Sequence, residues 1–330
     1  MRGDGRVKVF LTGGTGFVGI HVVAALRARG HTVVCLVRDP RKAATVFDGA
    51  PPACLAGDLT DADALRRGCA DADAVVHLAG LTSAKSRAEL FATNADGTRA
   101  LVESARATGS SIRRFVYVSS LAAAGPVTDG VIPSGSEEAR PVSDYGRSKL
   151  AGEGPVRELT LDWTILRPPA VYGPWDREFL RLFAIAKRGI APMFGDGSQR
   201  LSLVFAPDLA DAIVACVENP PPRGVYYPAH GEPTTQRALV ERIGEALATR
   251  VRVLALPRAI VRPLGWISEK AAKLAGRSTL LSTDKANELL ADAWLCSPAA
   301  LEAATGWRAA TDLASGLRQT ATWYRKMSWI

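Results

Sequence analysis

Thr12-Gly13-Gly14-Thr15-Gly16-Phe17-Val18-Gly19 follows the apolar run from Val7 to Leu11 and opens an apolar-patterned segment that ends near Gly30. That order predicts a strand, a glycine turn and a helix. Gly13 permits the tight turn. Gly16 lets the backbone approach a pyrophosphate with no side chain in the way, and Gly19 lets the helix pack closely on the strand. A dinucleotide's diphosphate then sits at the helix N-terminus, where free N–H groups and the helix dipole favour negative charge. The competing reading is an ordinary surface turn. The strand-turn-helix context and the N-terminal position favour dinucleotide binding.

Outward from that turn, apolar runs alternate with helical patterns. Residues 33–37, 53–55, 74–79, 115–119 and 163–167 read as strands two to six, with helices such as 93–108 and 145–159 between them. Continuous apolar strands alternating with helices imply a parallel sheet covered on both faces, an α/β doubly wound Rossmann sheet. After Arg167 proline and glycine become frequent, as in Pro168-Pro169, Gly173-Pro174 and Pro220-Pro221-Pro222, and helices outnumber strands. Residues 1–170 are therefore expected to form the dinucleotide-binding domain. Residues 200–219 return to it as one more strand and helix. Residues 171–199 and 220–330 form a smaller, mainly helical substrate-binding region.

The bulk properties narrow the class. With 330 residues, 47% of them hydrophobic, the chain has core for one large or two ordinary domains. No apolar run reaches the ~18–20 residues of a membrane span, and the N-terminus has no signal-peptide pattern. Five scattered cysteines without C-x-x-C, and four histidines without ligand spacing, argue against a metal site and a disulfide framework. They suit a reducing cytoplasm. The net charge of +8 has no nucleic-acid motif beside it. It is read as general solubility, with no nucleic-acid partner.

Tyr145-Gly-Arg-Ser-Lys149 places a phenol and an ammonium at i and i+4 on one helix face. Tyrosine's ordinary pKa near 10 is too high for proton transfer at neutral pH, and a nearby lysine charge lowers it. The phenol can then exchange a proton with an alcohol or carbonyl. Ser119-Ser120 ends strand five, and ligands of open parallel sheets bind at the carboxyl ends of strands. A serine hydroxyl there can bond a substrate oxygen. The plain alternatives are a surface helix pair and a turn serine.

At these residues the chain resembles the extended short-chain dehydrogenase/reductase family. The matching stretches are the TGGTGFVG turn, Asp58-Leu59, His77-Leu-Ala-Gly80, Asn94-Ala-Asp-Gly-Thr98, Tyr117-Val-Ser-Ser120, Tyr145-x-x-x-Lys149 and Arg167-Pro-Pro-Ala-Val-Tyr-Gly-Pro174. Their order and spacing follow the family over most of the chain. The resemblance implies that Tyr145 is the catalytic acid/base, that Lys149 lowers its pKa and holds the nicotinamide ribose, and that Ser120 binds the reacting oxygen. Asn94 supports the site from the neighbouring helix. Gly13, Thr15, Gly16, Phe17, Val18 and Gly19 cradle the cofactor, Asp58 and Leu59 flank its adenine, and Leu78, Ala79, Gly80 and Ser119 line it. Pro168, Ala170 and Val171 pass beside the nicotinamide. The family's habit is a homodimer through two helices per subunit.

Charge bears on the cofactor. An acid at the end of strand two would bind the adenosine ribose and repel a 2′-phosphate, but Val37 stands there, followed by Arg38, with Arg41 and Lys42 beyond. Guanidinium suits phosphate. NADP is expected, with NAD as second choice. In the competing reading Arg38 stacks on adenine and Asp39 meets the ribose.

The substrate is read from departures. Relatives acting on nucleotide-linked sugars usually carry Asn where this chain has Ala170, and Arg where it has Leu201. The sugar 4,6-dehydratases have Asp-Glu where it has Leu121-Ala122. Residues 195–208 look more like the 3β-hydroxysteroid dehydrogenase and dihydroflavonol reductase branches, except at Ala206-Pro207. The expected function is hydride transfer between nicotinamide and an apolar alcohol or ketone. The alternatives are a nucleotide-sugar 4-epimerase and a non-catalytic NADP-binding sensor. Residues 251–277 carry six Arg/Lys (Arg252, Arg258, Arg262, Lys270, Lys273, Arg277) against Glu269, with Trp266 and aliphatic residues between. That pattern reads either as a solvated face or as an amphipathic element on a membrane surface.

Overall fold

The computed structural model describes residues 6–108, 112–274 and 283–330, the side chains of 272–274 and 283 excepted. The apolar run before the glycine turn is β1 (Lys8–Thr12), and the segment after it is α1 (Phe17–Ala28). Strict alternation follows: β2 (Thr32–Val37), α2 (Pro40–Val46), β3 (Ala53–Ala56), α3 (Ala62–Ala70) and β4 (Ala74–His77). The helix expected over 93–108 is interrupted. α4 (Arg87–Phe91) passes through a π-helical turn, Ala92–Asp96, into α5 (Gly97–Ala107). β5 (Arg114–Val118), the short α6 (Leu121–Ala124), α7 (Asp144–Arg157) and β6 (Asp162–Leu166) complete the first half.

Strands β3-β2-β1-β4-β5-β6 lie side by side, all parallel, with a seventh strand outside β6. This is the doubly wound order, and the chain reverses direction across the sheet between β1 and β4. Side chains alternate between two cores. Val9 and Leu11 of β1, Val76 of β4 and Val116 of β5 enter one; Phe10, Val75 and Phe115 enter the other. Both faces are apolar because both are covered by helices.

Beyond β6 come β7 (Ala170–Tyr172), α8 (Arg177–Lys187), β8 (Ile190–Phe194), β9 (Arg200–Leu201), β10 (Leu203–Phe205), α9 (Ala206–Glu218) and β11 (Gly224–Tyr226). Then follow β12 (Thr234–Thr235), α10 (Gln236–Leu247), β13 (Arg252–Leu256), α11 (Val261–Leu274), α12 (Thr283–Leu289), β14 (Ala293–Trp294), α13 (Ala299–Thr305) and α14 (Leu313–Lys326). By residue this part is mainly helical. By number of elements its short strands are not outnumbered, contrary to the sequence expectation, because pieces of two to five residues leave no periodic signal. β11 is the seventh strand of the large sheet, paired with β6. α9 packs on α1, with Arg29–Asp211 (3.1 Å) and His31–Glu218 (3.0 Å) along their seam. Arg277 of the basic stretch lies outside the described residues.

Candidate active site

The glycine turn leaves room for a cofactor because side chains are excluded from it. Gly13 has φ +80°, and a Cβ there would stand 2.7 Å from the Ala79 amide nitrogen. A Cβ on Gly19 would stand 2.1 Å from the Gly13 carbonyl oxygen, so α1 could not approach β1 as it does. No side chain caps α1 at Gly16, which leaves the first-turn N–H groups of this helix to a ligand. Thr15, Phe17 and Val18 are half-buried around it. The Thr12 hydroxyl is 2.6 Å from His77 Nδ1, and His77 Nε2 is 2.9 Å from the Thr98 hydroxyl. Burial drives the imidazole pKa down to about 3, so His77 is a neutral tie between β1, β4 and α5.

β4 ends at His77, two residues short of the expected strand end at 79, and Leu78, Ala79 and Gly80 follow it, the first two half-buried and Gly80 exposed. Asn94 sits in the π turn and is fully buried. Its amide nitrogen donates to the Leu81 carbonyl and the Ser148 hydroxyl, both at 2.9 Å, and its oxygen accepts from the Leu81 N–H at 2.8 Å. A π turn frees a helix from strict periodicity and is common at functional sites. Here it turns Asn94 onto the 78–81 strap and onto α7.

Ser119 and Ser120 follow β5, as expected. The Ser120 hydroxyl accepts the Ala122 N–H at 3.1 Å, capping α6, and lies close enough to the Tyr145 phenol to oppose the rise of its pKa. Ser143 caps α7, so Tyr145 falls in the first turn of that helix. Lys149 is one turn on and only 4% exposed. Its Nζ donates to the Val118 carbonyl at 2.8 Å and lies 4.5 Å from the centre of the Tyr117 ring.

Burial pushes the Tyr145 phenol up to about 12, with Ser120 opposing and the charge of Glu288 adding to the rise. Burial also lowers Lys149 to about 7, opposed by Glu153. The Lys149 amino group is turned to the Val118 carbonyl at the end of β5.

Sequence reasoning missed two acids here. Glu153, fully buried, accepts from Arg167 Nε and Nη2 at 2.8 Å each, from the Ser119 hydroxyl at 2.7 Å and from Arg157 at 3.0 Å. Arg167 also donates to the Tyr227 hydroxyl at 3.0 Å, and Tyr227 bonds Glu137. The i, i+4, i+8 spacing of Tyr145, Lys149 and Glu153 was the available signal. Glu288 on α12 had none, because only tertiary packing brings it to Tyr145. Asp284 of the same helix accepts the Asp144 N–H at 2.8–2.9 Å, docking α12 on the start of α7. Glu288 Oε1 is buried and has no hydrogen-bond partner.

Arg38 is exposed at the end of β2, and its charge helps lower the pKa of Asp58, behind the hydrogen bonds from Thr60. Arg41 is paired with Asp39, which caps α2. Leu59 packs against Gly97. Pro168 is buried after β6, while Ala170 is exposed and Val171 half-buried at the start of β7. Leu201 packs into the apolar cluster around Tyr172 and Phe205. Among the described residues no group of three or more His, Cys, Asp or Glu is placed to hold a metal ion, and no helix is long and apolar enough to cross a membrane.

A family model for NAD-dependent epimerases and dehydratases matches residues 9–226, which span the glycine turn, the Ser/Tyr/Lys set and all seven strands of the sheet but the first residue of β1. The chain belongs to the NAD-dependent epimerase/dehydratase family. It is an NAD(P)-dependent oxidoreductase of the extended short-chain dehydrogenase/reductase type. The chain is similar to a ceramide reductase of Caulobacter vibrioides, 32% identical across all of this chain and 98% of that one. It is 28% identical to a 4-hydroxy-2-methyl-3-oxo-4-farnesyl-3,4-dihydroquinoline-1-oxide ketoreductase of Stigmatella aurantiaca, over 86% of this chain and 91% of that one. Its fold matches the structure of MoeE5 in complex with UDP-glucuronic acid and NAD, with TM-score 0.77 and 23% identity over 97% and 99% of the two chains.

Proposed function

We infer that this family member reduces the ketone of a long-chain, apolar substrate with NADPH, or oxidises the matching alcohol. The observation that carries the reading is the juxtaposition of the Tyr145 phenol with Ser120 at the carboxyl end of β5 and, one helical turn on, buried Lys149. The glycine cradle, which a single Cβ at Gly13 or Gly19 would fill, fits a dinucleotide. When bound, the nicotinamide supplies or accepts the hydride at the substrate carbon. Ser120 donates a hydrogen bond to the reacting oxygen, and Tyr145 delivers the proton to that oxygen in reduction. Lys149 and Asn94 hold the β5 end and the 78–81 strap around the cofactor. A phenol that keeps its proton to high pH suits the reducing direction.

Arg38 supports NADP, since Arg41 is committed to Asp39. Exposed Ala170 and core-facing Leu201 support an apolar substrate, as neither supplies a diphosphate ligand. The names of the two reductase relatives, whose substrates carry long apolar chains, support the same class. A homodimer and a division at residue 170, with 200–219 rejoining the first domain, belong to the same proposal. Replacement of Tyr145 by Phe is expected to lower turnover about 10²–10⁴-fold while NADPH binding stays nearly intact. Loss of binding with little loss of rate per bound enzyme defeats the assignment.

One observation favours a second reading, the nucleotide-sugar 4-epimerase. A cavity of about 280 Å³ beside α12 is lined by Arg200 and Arg258 together with Gly195, Gly197 and Gln199. Arg258 is, however, already paired with Asp292 at 2.7 Å. The sensor reading is set aside, because the family and these relatives are enzymes.

A further inference from the structure

Helix α11 is folded with its apolar side outward. Trp266 is 59% exposed, Ile267 56% and Leu264 39%, while Val261 and Gly265 on the opposite side are buried. At 100° per residue, Pro263, Leu264, Trp266, Ile267 and Ala271 share one arc, with Lys270 in it and Arg262 at its edge. Lys270 Nζ lies 5.9 Å from the centre of the Trp266 ring. The strand leading into this helix repeats the pattern. Leu254 of β13 is 50% exposed, and Arg252 pairs in register with Ile190 of β8, 47% exposed. The inner side of α11 packs on α12, which carries Glu288.

We propose that α11, with β13 leading into it and β8 paired to that strand, is a docking surface for an anionic lipid bilayer. A tryptophan and aliphatic side chains enter the boundary between headgroups and acyl chains, while lysine and arginine reach back to the anionic headgroups. Charge decides between occupants. A second copy of this chain would set Lys270, Arg262 and Arg252 against themselves, and lysine is depleted from protein interfaces. An anionic surface attracts the same three residues, and the net charge of +8 adds to the attraction. The α11 helix is some 14 residues long, so about 21 Å of it lies along the surface. One helix separates that surface from Tyr145. The proposal does not rest on the substrate reading.

The test is co-sedimentation of the full chain, loaded with NADPH, with phosphatidylcholine vesicles prepared with and without phosphatidylglycerol. Binding to the anionic vesicles alone, released by salt, is expected. Lys270→Glu changes the surface charge by two and should weaken that binding roughly thirtyfold. The double variant Trp266→Ser/Ile267→Ser should abolish it while leaving NADPH binding unchanged. Should that variant fold poorly, the conservative Trp266→Phe provides the second readout. Brominated lipid should quench part of the tryptophan emission of the parent protein, and Trp266→Phe should lose that part. Absence of binding to anionic vesicles overturns the proposal. So does a parent dimer that Trp266→Ser/Ile267→Ser converts to monomer, which would make this face a self-interface.

Discussion

Glu153→Gln tests the buried framework under the site. The Glu153 carboxylate is 0% exposed and Arg167 2% exposed. Four donors from three side chains converge on it: the forked guanidinium of Arg167, the Ser119 hydroxyl and Arg157. A glutamine of the same size keeps one acceptor oxygen but presents an NH₂ group to the Arg167 fork, donor against donor. It also leaves a desolvated guanidinium with only Tyr227 and the more distant Glu137, at 3.7 Å. Removing one partner of a buried pair costs about 3–5 kcal/mol, a large share of the roughly 5–15 kcal/mol that holds a domain folded. Urea unfolding followed by tryptophan fluorescence measures the loss. The double variant Glu153→Met/Arg167→Met should cost less than the two single changes together, since it strands no charge. A second consequence concerns Lys149. Glu153 raises its pKa against burial, so Glu153→Gln should drive that pKa further below about 7. Activity that needs the ammonium is then lost at lower pH than in the parent. A stability loss under about 1 kcal/mol, the size seen for exposed pairs, refutes the reasoning.

Three shorter predictions follow from the same geometry. Gly19→Ala places a methyl group 2.1 Å from the Gly13 carbonyl oxygen, so dinucleotide binding by calorimetry should fall below detection even where the protein folds. Arg38→Ala should weaken NADP by about 10- to 150-fold, the equivalent of about 1.5–3 kcal/mol for a charge-assisted bond, and NAD far less; equal effects on both would favour adenine stacking. Glu288→Gln removes a charge that raises the Tyr145 pKa. The alkaline limb of ketone reduction, where Tyr145 loses its proton, should therefore move to lower pH, and an unmoved limb would separate Glu288 from the phenol.

Much of the sheet was legible because its signals are local. Gly19 meets backbone within its own strand-turn-helix unit, and the alternation of apolar runs with helical patterns is enough to imply parallel strands. Ser120, Tyr145 and Lys149 were found by position relative to those elements. What escaped depends on distant packing. The π turn at Asn94 is set by its bonds to Leu81 and Ser148, while the periodicity of 93–108 reads as one helix. β11 is three residues long and is recruited by β6. Lys149 looks placed for Tyr145 by helical spacing, yet its Nζ is taken by the Val118 carbonyl of the strand beneath it. Glu288 reaches Tyr145 only because Asp284 docks α12 on α7.

The central claim is net hydride transfer to an apolar ketone, and isotope transfer tests it most directly. The purified protein would be incubated with NADPH deuterated at C4 of the nicotinamide and, in parallel, with long-chain ketones and with UDP- and dTDP-sugars. Mass spectrometry then reads deuterium in each product. The account predicts one deuterium on the carbinol carbon of a long-chain alcohol, one NADPH consumed per product, and conversion slowed about 10²–10⁴-fold when Tyr145 is replaced by Phe. Epimerisation of a nucleotide sugar without net NADPH consumption, and with every apolar ketone untouched, would contradict it.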